Sequence, residues 1–283
     1  MTTPHLEACR RAAAGGHARL PLVRDLVLDG DTAISAFTKL HRGEYGFLLE
    51  SLEGGERWAR YTFLATEPAA VYRYRGRIVE RRGDTGDWSE LPDRVAPLDH
   101  LSQLMRRTTA PTVPGLPRFT GGAVGFWGYD VVRTIEDLPD PPPANPPLPD
   151  AVAMVVDTLL VLDHLFHRAI VIANVPLEPG LDDGELERRI AATESRAADC
   201  LARLRVAINR DPLEAGGTER EAPTETMYPD EHYRRDVSRC QEYIAAGDAF
   251  QIVLSRRLDI APAADPFRTY RWLRALNPAP YCY

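Results

Sequence analysis

Apolar positions along the chain follow two rhythms, and each rhythm assigns its own kind of element. Recurrence at three and four residues marks a helix; alternation, or a short apolar run, marks a strand. Ile34, Phe37 and Leu40 recur at three-residue spacing behind Asp29-Gly30-Asp31-Thr32, which predicts a helix with Asp31 or Thr32 as its N-cap. Gly46-Phe47-Leu48-Leu49-Glu50-Ser51 is an apolar run ending in polar groups and reads as a strand, and Glu53-Gly54-Gly55-Glu56 behind it is turn chemistry. Arg60 to Leu64 and Ala69 to Tyr74 alternate as strands, and Gly76 turns the chain into Arg77-Ile78-Val79-Glu80 as a hairpin. Leu98, Leu101, Leu104 and Met105 return to helical spacing.

The second half repeats the alternation of types. Ala151 to Asp163 and Arg168 to Asn174 are two β-rich runs joined by the turn His164-Leu165-Phe166-His167. Gly184 to Ile208 reads as one long amphipathic helix. Leu186, Ile190, Thr193, Ala197, Leu201, Leu204 and Ile208 form its inward stripe, with Asp182 and Glu185 as a capping box. Tyr233, Val237, Cys240 and Ile244 mark a further helix that Gly247 stops. Phe250 to Arg257 alternates as a strand, and Asp265-Pro266 opens a helix that runs to Leu276. The expected fold class is therefore α+β, with largely antiparallel sheets and flanking helices.

Punctuation between these elements sets the expected boundaries. Residues 1–20 read as a flexible tail, 21–208 as an N-terminal α+β domain, 209–227 as a polar linker, and 228–283 as the start of a second domain. Pro139 to Pro149 holds seven prolines in eleven residues, which excludes helix there. The chain closes on the apolar and aromatic Pro278-Ala279-Pro280-Tyr281-Cys282-Tyr283, and the expectation is a fragment cut at the first residues of a strand.

Charge and composition narrow the function classes. Across 283 residues, 34 Lys and Arg stand against 41 Asp and Glu, a formal charge of −7. An acidic chain lacks the clustered cations that nucleic acids and anionic membranes require. No apolar run approaches a membrane span of about 18 residues. Cys9, Cys200, Cys240 and Cys282 are far apart and form no CxxC pair, so neither a zinc site nor a disulfide framework is indicated and a reducing cytoplasm is the default.

Spacing alone singles out little chemistry. His164 and His167 have HxxH spacing beside Asp163, but a turn presents such residues to solvent without any function. Gly122, Gly125 and Gly128 match neither the dinucleotide fingerprint nor the P-loop, so the favoured reading is a glycine-rich strand that another backbone approaches closely. No acid/base pair, metal cluster or nucleophile–base set stands out.

Four segments taken together carry more. Leu48-Leu49-Glu50-Ser51 followed by Arg60-Tyr61-Thr62-Phe63 resembles the LLES…RYSF stretch of the anthranilate synthase component I family of chorismate-utilising enzymes. Gly121 to Arg133, with Glu136 and Leu138-Pro139, resembles the family's GGAVGYxxYDLVRxxExLP segment. Ile244 to Ser255 is similar to IxAGDxFQxVLSQR, and Asn277 to Cys282 to NPSPYM. Order and spacing also match, over about residues 21–283.

The resemblance implies two large, mainly antiparallel sheets and a lyase of tryptophan biosynthesis. Such an enzyme aminates chorismate with ammonia and eliminates pyruvate to give anthranilate. Mg2+ holds the substrate carboxylate, a glutamine amidotransferase subunit (component II) supplies the ammonia, and L-tryptophan inhibits from a separate site. Residues 21–208 would then be regulatory, and 228–283 the beginning of the catalytic domain. Ser51, Pro280, Tyr281 and Cys282 match the family's tryptophan-contacting positions, with Cys282 in place of the usual, larger methionine. An amino acid needs an acceptor for its ammonium, which Glu50 can be, and a donor for its polar end, which Ser51 can be. Tyr281 offers an apolar wall, and Arg60 is a weaker candidate for the ligand carboxylate. Read without the resemblance, the favoured reading is Ser51 as a strand-end hydroxyl satisfying backbone and Tyr281 as a core residue.

The family's chorismate and magnesium motifs lie beyond NPSPYM and do not occur in these 283 residues. No catalytic or metal residue is carried over, and the chain alone is expected to be inactive. Two alternatives remain: 4-amino-4-deoxychorismate synthase component I, on the same scaffold, and a tryptophan-sensing module without chemistry.

Overall fold

The computed structural model describes residues 4–51, 60–83, 85–92, 94–140, 146–209, 212–213, 224–226, 228–260 and 265–283. Two five-stranded sheets, antiparallel at every pairing, organise most of it. The first runs β1 (Arg19–Val27), β10 (Arg168–Pro176), β9 (Thr158–Asp163), β3 (Tyr61–Thr66), β2 (Gly46–Leu49). The second runs β6 (Trp88–Glu90), β5 (Ile78–Arg82), β4 (Ala70–Arg75), β8 (Ala151–Val156), β7 (Gly122–Trp127). This is the α+β, antiparallel class that the hydrophobic pattern predicts.

The run from Ala151 to Asp163 is where the sequence reading needs revision. It is not one strand: β8 ends at Val156, β9 begins at Thr158, and the two lie in different sheets. The chain changes sheets at Asp157. Arg19, from the first residue of β1, forms an ion pair with Asp157 and donates to Val156 O at 3.0 Å. Asn174 Nδ2 donates to Asp157 O at 3.0 Å and to Thr120 O at 2.7 Å, tying β10 to the entry of β7. Alternation continues through such a crossover, so the pattern gives no sign of it.

Between the sheets, Phe47, Ala65, Val161, Ile170 and Ile172 from the first meet Val156, Val124 and Met154 from the second. Burial of side chains of this size contributes about 1.5–3 kcal/mol each. Gly125 in β7 permits the close pairing with β8, because a Cβ there would stand 1.8 Å from Val152 O. That is the close backbone approach expected of the glycine-rich segment.

Helices cover the other face of the first sheet. α1 (Pro4–Ala14) corrects the expectation of a loose tail over residues 1–20. Leu6, Cys9 and Ala12 recur at three-residue spacing and are buried with Leu22, Val175, Leu186 and Ile190. α2 (Ala33–Leu40) is capped by Thr32, which accepts from Ser35 N while Ser35 Oγ accepts from Thr32 N. α3 (Pro97–Arg106) packs on the second sheet, where His100 Nδ1 lies 2.8 Å from the Tyr74 hydroxyl. α4 (Asp183–Leu204) buries Leu186, Ile190, Thr193, Ala197, Cys200 and Leu204, so Cys200 takes the place expected of Leu201, and Ile208 lies past the helix end. Asp182 accepts from Glu185 N at 2.8 Å, but the Glu185 carboxylate pairs with Arg188 and Arg189 instead of completing a capping box.

The chain divides into two compact units, Met1–Asn209 with Pro278–Tyr283, and Arg210–Asn277. The last six residues, expected to belong to a second domain, thus cluster with the first unit. The second unit holds α5 (Asp230–Ala246), a ribbon of β11 (Thr224–Glu225) with β12 (Asp259–Ile260), and α6 (Pro266–Leu276). Gly247, at φ 85°, ends α5 in the left-handed conformation that glycine adopts without steric cost. The expected strand over Phe250–Arg257 does not form. Phe250 and Val253 are 95% and 81% exposed, and alternation becomes a strand only when a neighbouring backbone pairs with it. The turn at Glu53–Glu56, part of the proline run and most of the 209–227 linker fall outside the described residues.

Candidate functional site

β2 carries apolar side chains to Leu49, which pairs with Phe63, and the next residue is acidic. Glu50 is only 5% exposed. Its backbone makes an isolated antiparallel bridge with Cys282: Glu50 N donates to Cys282 O at 2.7 Å, and Cys282 N donates to Glu50 O at 2.8 Å. Residues 232 positions apart are thereby joined by two main-chain bonds. Ser51 follows Glu50 directly and is half-buried; Pro280 is exposed and the Tyr281 ring 77% exposed. Five of the six residues singled out from the sequence (Glu50, Ser51, Pro280, Tyr281 and Cys282) therefore belong to one neighbourhood.

Arg60 has a different occupation. Its Nε and Nη2 each donate to Asp163 at 3.0 Å, a bidentate fork, and its guanidinium lies 4.6 Å from the Tyr61 ring centre and 4.9 Å from that of Phe166. The fork uses two of the five N–H donors of the guanidinium, and the side chain remains about 30% exposed. Burial pushes the Asp163 carboxyl up, but the bonds and charge of Arg60, joined by Arg168, outweigh it and hold the group below the usual carboxylate range.

Two residues of the neighbourhood carried no such signal in the sequence. Thr62, 1% exposed, faces His164, with Oγ1 2.9 Å from Nε2. The His164 amide donates to Arg60 O at 2.8 Å. Burial lowers the His164 pKa, the charges of Glu50 and Asp163 oppose that, and His167 adds to it. The HxxH spacing pointed at His164 for another reason, whereas the register that sets it against Thr62 joins residues 102 positions apart. Among the described residues no group of three or more His, Cys, Asp or Glu side chains is placed to hold a metal ion, so no step through Mg2+ is drawn on them. No helix is long and apolar enough to cross a membrane among the described residues.

Chemically, the neighbourhood offers a buried carboxylate, a hydroxyl, a main-chain edge and an exposed phenol ring. Such a set can hold a small cationic group beside an aromatic surface.

Comparison with known proteins widens this view. Residues 51–283 match the chorismate binding enzyme family. The chain is 37% identical over 281 residues to the anthranilate synthase component 1 of Pseudomonas aeruginosa, covering 96% of this chain and 55% of that protein. It is 34% identical over 269 residues to the anthranilate synthase component 1 of Acetivibrio thermocellus, covering 93% of this chain and 53% of that protein. The solved anthranilate synthase component I of Streptococcus pneumoniae superposes with a TM-score of 0.59 at 26% identity, covering 89% of this chain and 53% of that one. The chain spans about half the length of the curated relatives it matches. Agreement of sequence and fold over so much of its length makes the chain a member of the chorismate binding enzyme family.

Proposed function

We propose that the chain serves the anthranilate synthase reaction, in which chorismate and ammonia give anthranilate and pyruvate, and that it carries the tryptophan feedback site of that enzyme. On this reading residues 21–208 are regulatory, and residues 228–283 contribute the first elements of the chorismate domain. Ammonia comes from glutamine through an amidotransferase partner, Mg2+ holds the substrate carboxylate on residues other than these, and the setting is the cytoplasm.

The observation that carries the reading is the Glu50–Cys282 bridge. It joins the polar end of β2 to the Pro280-Tyr281-Cys282 segment in a chain similar to anthranilate synthase component 1. In this neighbourhood Glu50 accepts from the ligand ammonium, Ser51 donates to its polar end, and Tyr281 lies against the indole. Binding there acts as a coupling free energy on the chemistry elsewhere and does not block it directly.

The test is thermal unfolding of the 283-residue chain with and without L-tryptophan. A ligand at about 100 times its Kd adds about 2.7 kcal/mol to the native state, several degrees in Tm. Ser51→Ala and Tyr281→Ala should each reduce the shift. No shift at millimolar L-tryptophan would remove the feedback site from the reading. The same chain, given chorismate, ammonium and Mg2+, should yield no fluorescent anthranilate.

A further inference from the structure

The inward stripe of α4 changes size along its length. Leu186 and Ile190 fill the first half, but Thr193, Ala197 and Cys200 follow before Leu204. Opposite them lie β9 and β3. Leu159, Val161 and Ala65 turn towards the second sheet, so Thr158, Leu160, Leu64 and Thr66 face the helices. Small side chains on the helix above that face leave a cavity of about 190 Å3. An apolar cavity of about 150 Å3 takes in benzene. The room is therefore that of one six-membered ring with a small substituent.

The two ends of the cavity differ. Leu64 and Leu160 are 0% and 1% exposed, and with Cys200 they make an apolar inner wall. Burial pushes the Cys200 thiol up to about 11, so it stays uncharged at neutral pH. Towards solvent the wall carries two cations and two anions. Arg203 pairs with Glu67 and Asp199 and donates to Leu40 O at 3.4 Å. Asp157, next to Thr158, is paired with Arg19.

Arg196 stands apart from these pairs. Its Nη2 donates to Asn174 O at 3.2 Å and to Thr193 Oγ1 at 2.9 Å, which anchors the side chain. Among the described residues it forms no ion pair, and its Nε and Nη1 hold no partner. Asn174 N donates to Asp157 O, so the anchor lies beside Thr158. The Thr158 hydroxyl is buried and has no hydrogen-bond partner among the described residues. A cation without a counter-ion and an unused hydroxyl thus stand at one end of an apolar space. That is the donor set for a carboxylate.

We propose that this cavity binds a small monocarboxylate with an apolar body, the carboxylate on Arg196 and the Thr158 hydroxyl, the body against Leu64, Leu160 and Cys200. The occupant needs no ammonium, and Glu50 plays no part in holding it.

Benzoate is the probe. Benzamide, of the same shape but uncharged, is its control. In calorimetric titration of the 283-residue chain at pH 7, millimolar benzoate should bind. Benzamide should bind about tenfold more weakly, the scale of one hydrogen bond to a charged group. Arg196→Gln should bring benzoate down to the level of benzamide and leave benzamide unchanged. Cys200→Leu should fill the apolar end and abolish binding of both, with a thermal midpoint no lower than that of the wild type.

No benzoate binding at millimolar concentration overturns the proposal, and so does equal binding of benzoate and benzamide. Benzoate affinity unchanged in Arg196→Gln or in Cys200→Leu does the same. If a variant fails to fold, amide chemical shifts of the wild type decide. Benzoate must move Leu64, Leu160 and Cys200, and shifts confined to other segments overturn the proposal.

Discussion

Asp163 is the residue on which the turn after β9 depends. Its side chain has no exposed surface, and Arg60 and Arg168, each about 30% exposed, both bond to it. The carboxyl is held below its ordinary range, so its stabilising contribution is fully present above the unfolded value of about 3.9 and is lost as pH falls through the lower folded value. Replacing Asp163 by Asn keeps the shape and removes the charge. We expect Asp163→Asn to lower unfolding stability by about 2 kcal/mol at pH 7, the scale of hydrogen bonds to charged groups. Urea unfolding at pH 7 and pH 3 checks it. The deficit should shrink at pH 3, below the unfolded value, where Asp163 of the unfolded chain binds a proton that folding to the ion-paired form must release. An equal deficit at both values would mean that the loss does not come from the Asp163 charge. The residue scale also shows why the Arg60–Asp163 pair is not legible in the sequence. A guanidinium in a strand is visible in the sequence, but the carboxylate that engages it arrives 103 residues later through strand pairing.

At the scale of elements, α1 shows what local pattern can miss. Leu6 is 2% exposed and packs with Cys9, Ala12, Leu186 and Ile190, yet Glu7, Arg10 and Arg11 between them made the stretch look like a solvated tail. Three small or mid-sized apolar groups in eleven residues are too weak a stripe to predict burial alone, and the partner surface on α4 is not local information. We expect Leu6→Ala to cost about 2–4 kcal/mol, as for other buried leucines that leave a cavity. A denaturant midpoint unchanged within error would return the segment to a tail. Elements with strong local signals were legible: Thr32 and Asp265 at helix starts, Gly247 at a helix stop, and the Tyr74–Gly76–Ile78 hairpin. Those set by remote pairing were not, namely the sheet change at Asp157 and the unpaired run at Phe250–Arg257. The candidate site lies between these cases. Glu50 and Cys282 come together through one bridge that no periodicity encodes, and the resemblance of two short motifs was what made them legible together.

For the molecule as a whole, the two units differ in how much each buries. In the first, Leu159, Leu160, Val161, Ile170, Val171 and Ile172 are sealed in the middle of a five-stranded sheet. In the second, neither α5 nor α6 has a buried residue among those described, although Val237, Cys240 and Ile244 keep the spacing of an inward stripe. A helix of 17 residues and one of 11 are marginal in water unless an apolar face is covered. Opening free energy should therefore differ across the chain, as it does where cooperative units differ in burial. Amide hydrogen exchange of the 283-residue chain at pH 7 reads this directly. Peptides from Thr158–Asp163 and Arg168–Pro176 should stay protected for hours, because their amides are released only when the sheets come apart. Peptides from Asp230–Ala246 and Pro266–Leu276 should exchange within minutes, through local opening that leaves the sheets intact. Protection of α5 equal to that of β9 would show that its apolar stripe is covered in solution and that the two units unfold as one. L-tryptophan at the proposed site should slow exchange around Gly46–Leu49 and Cys282, since the ligand would brace the bridge from Glu50 to Cys282, and should leave Asp230–Ala246 unchanged. Slowing confined to Asp230–Ala246 would relocate the ligand to the second unit and break the link between Glu50 and ammonium recognition.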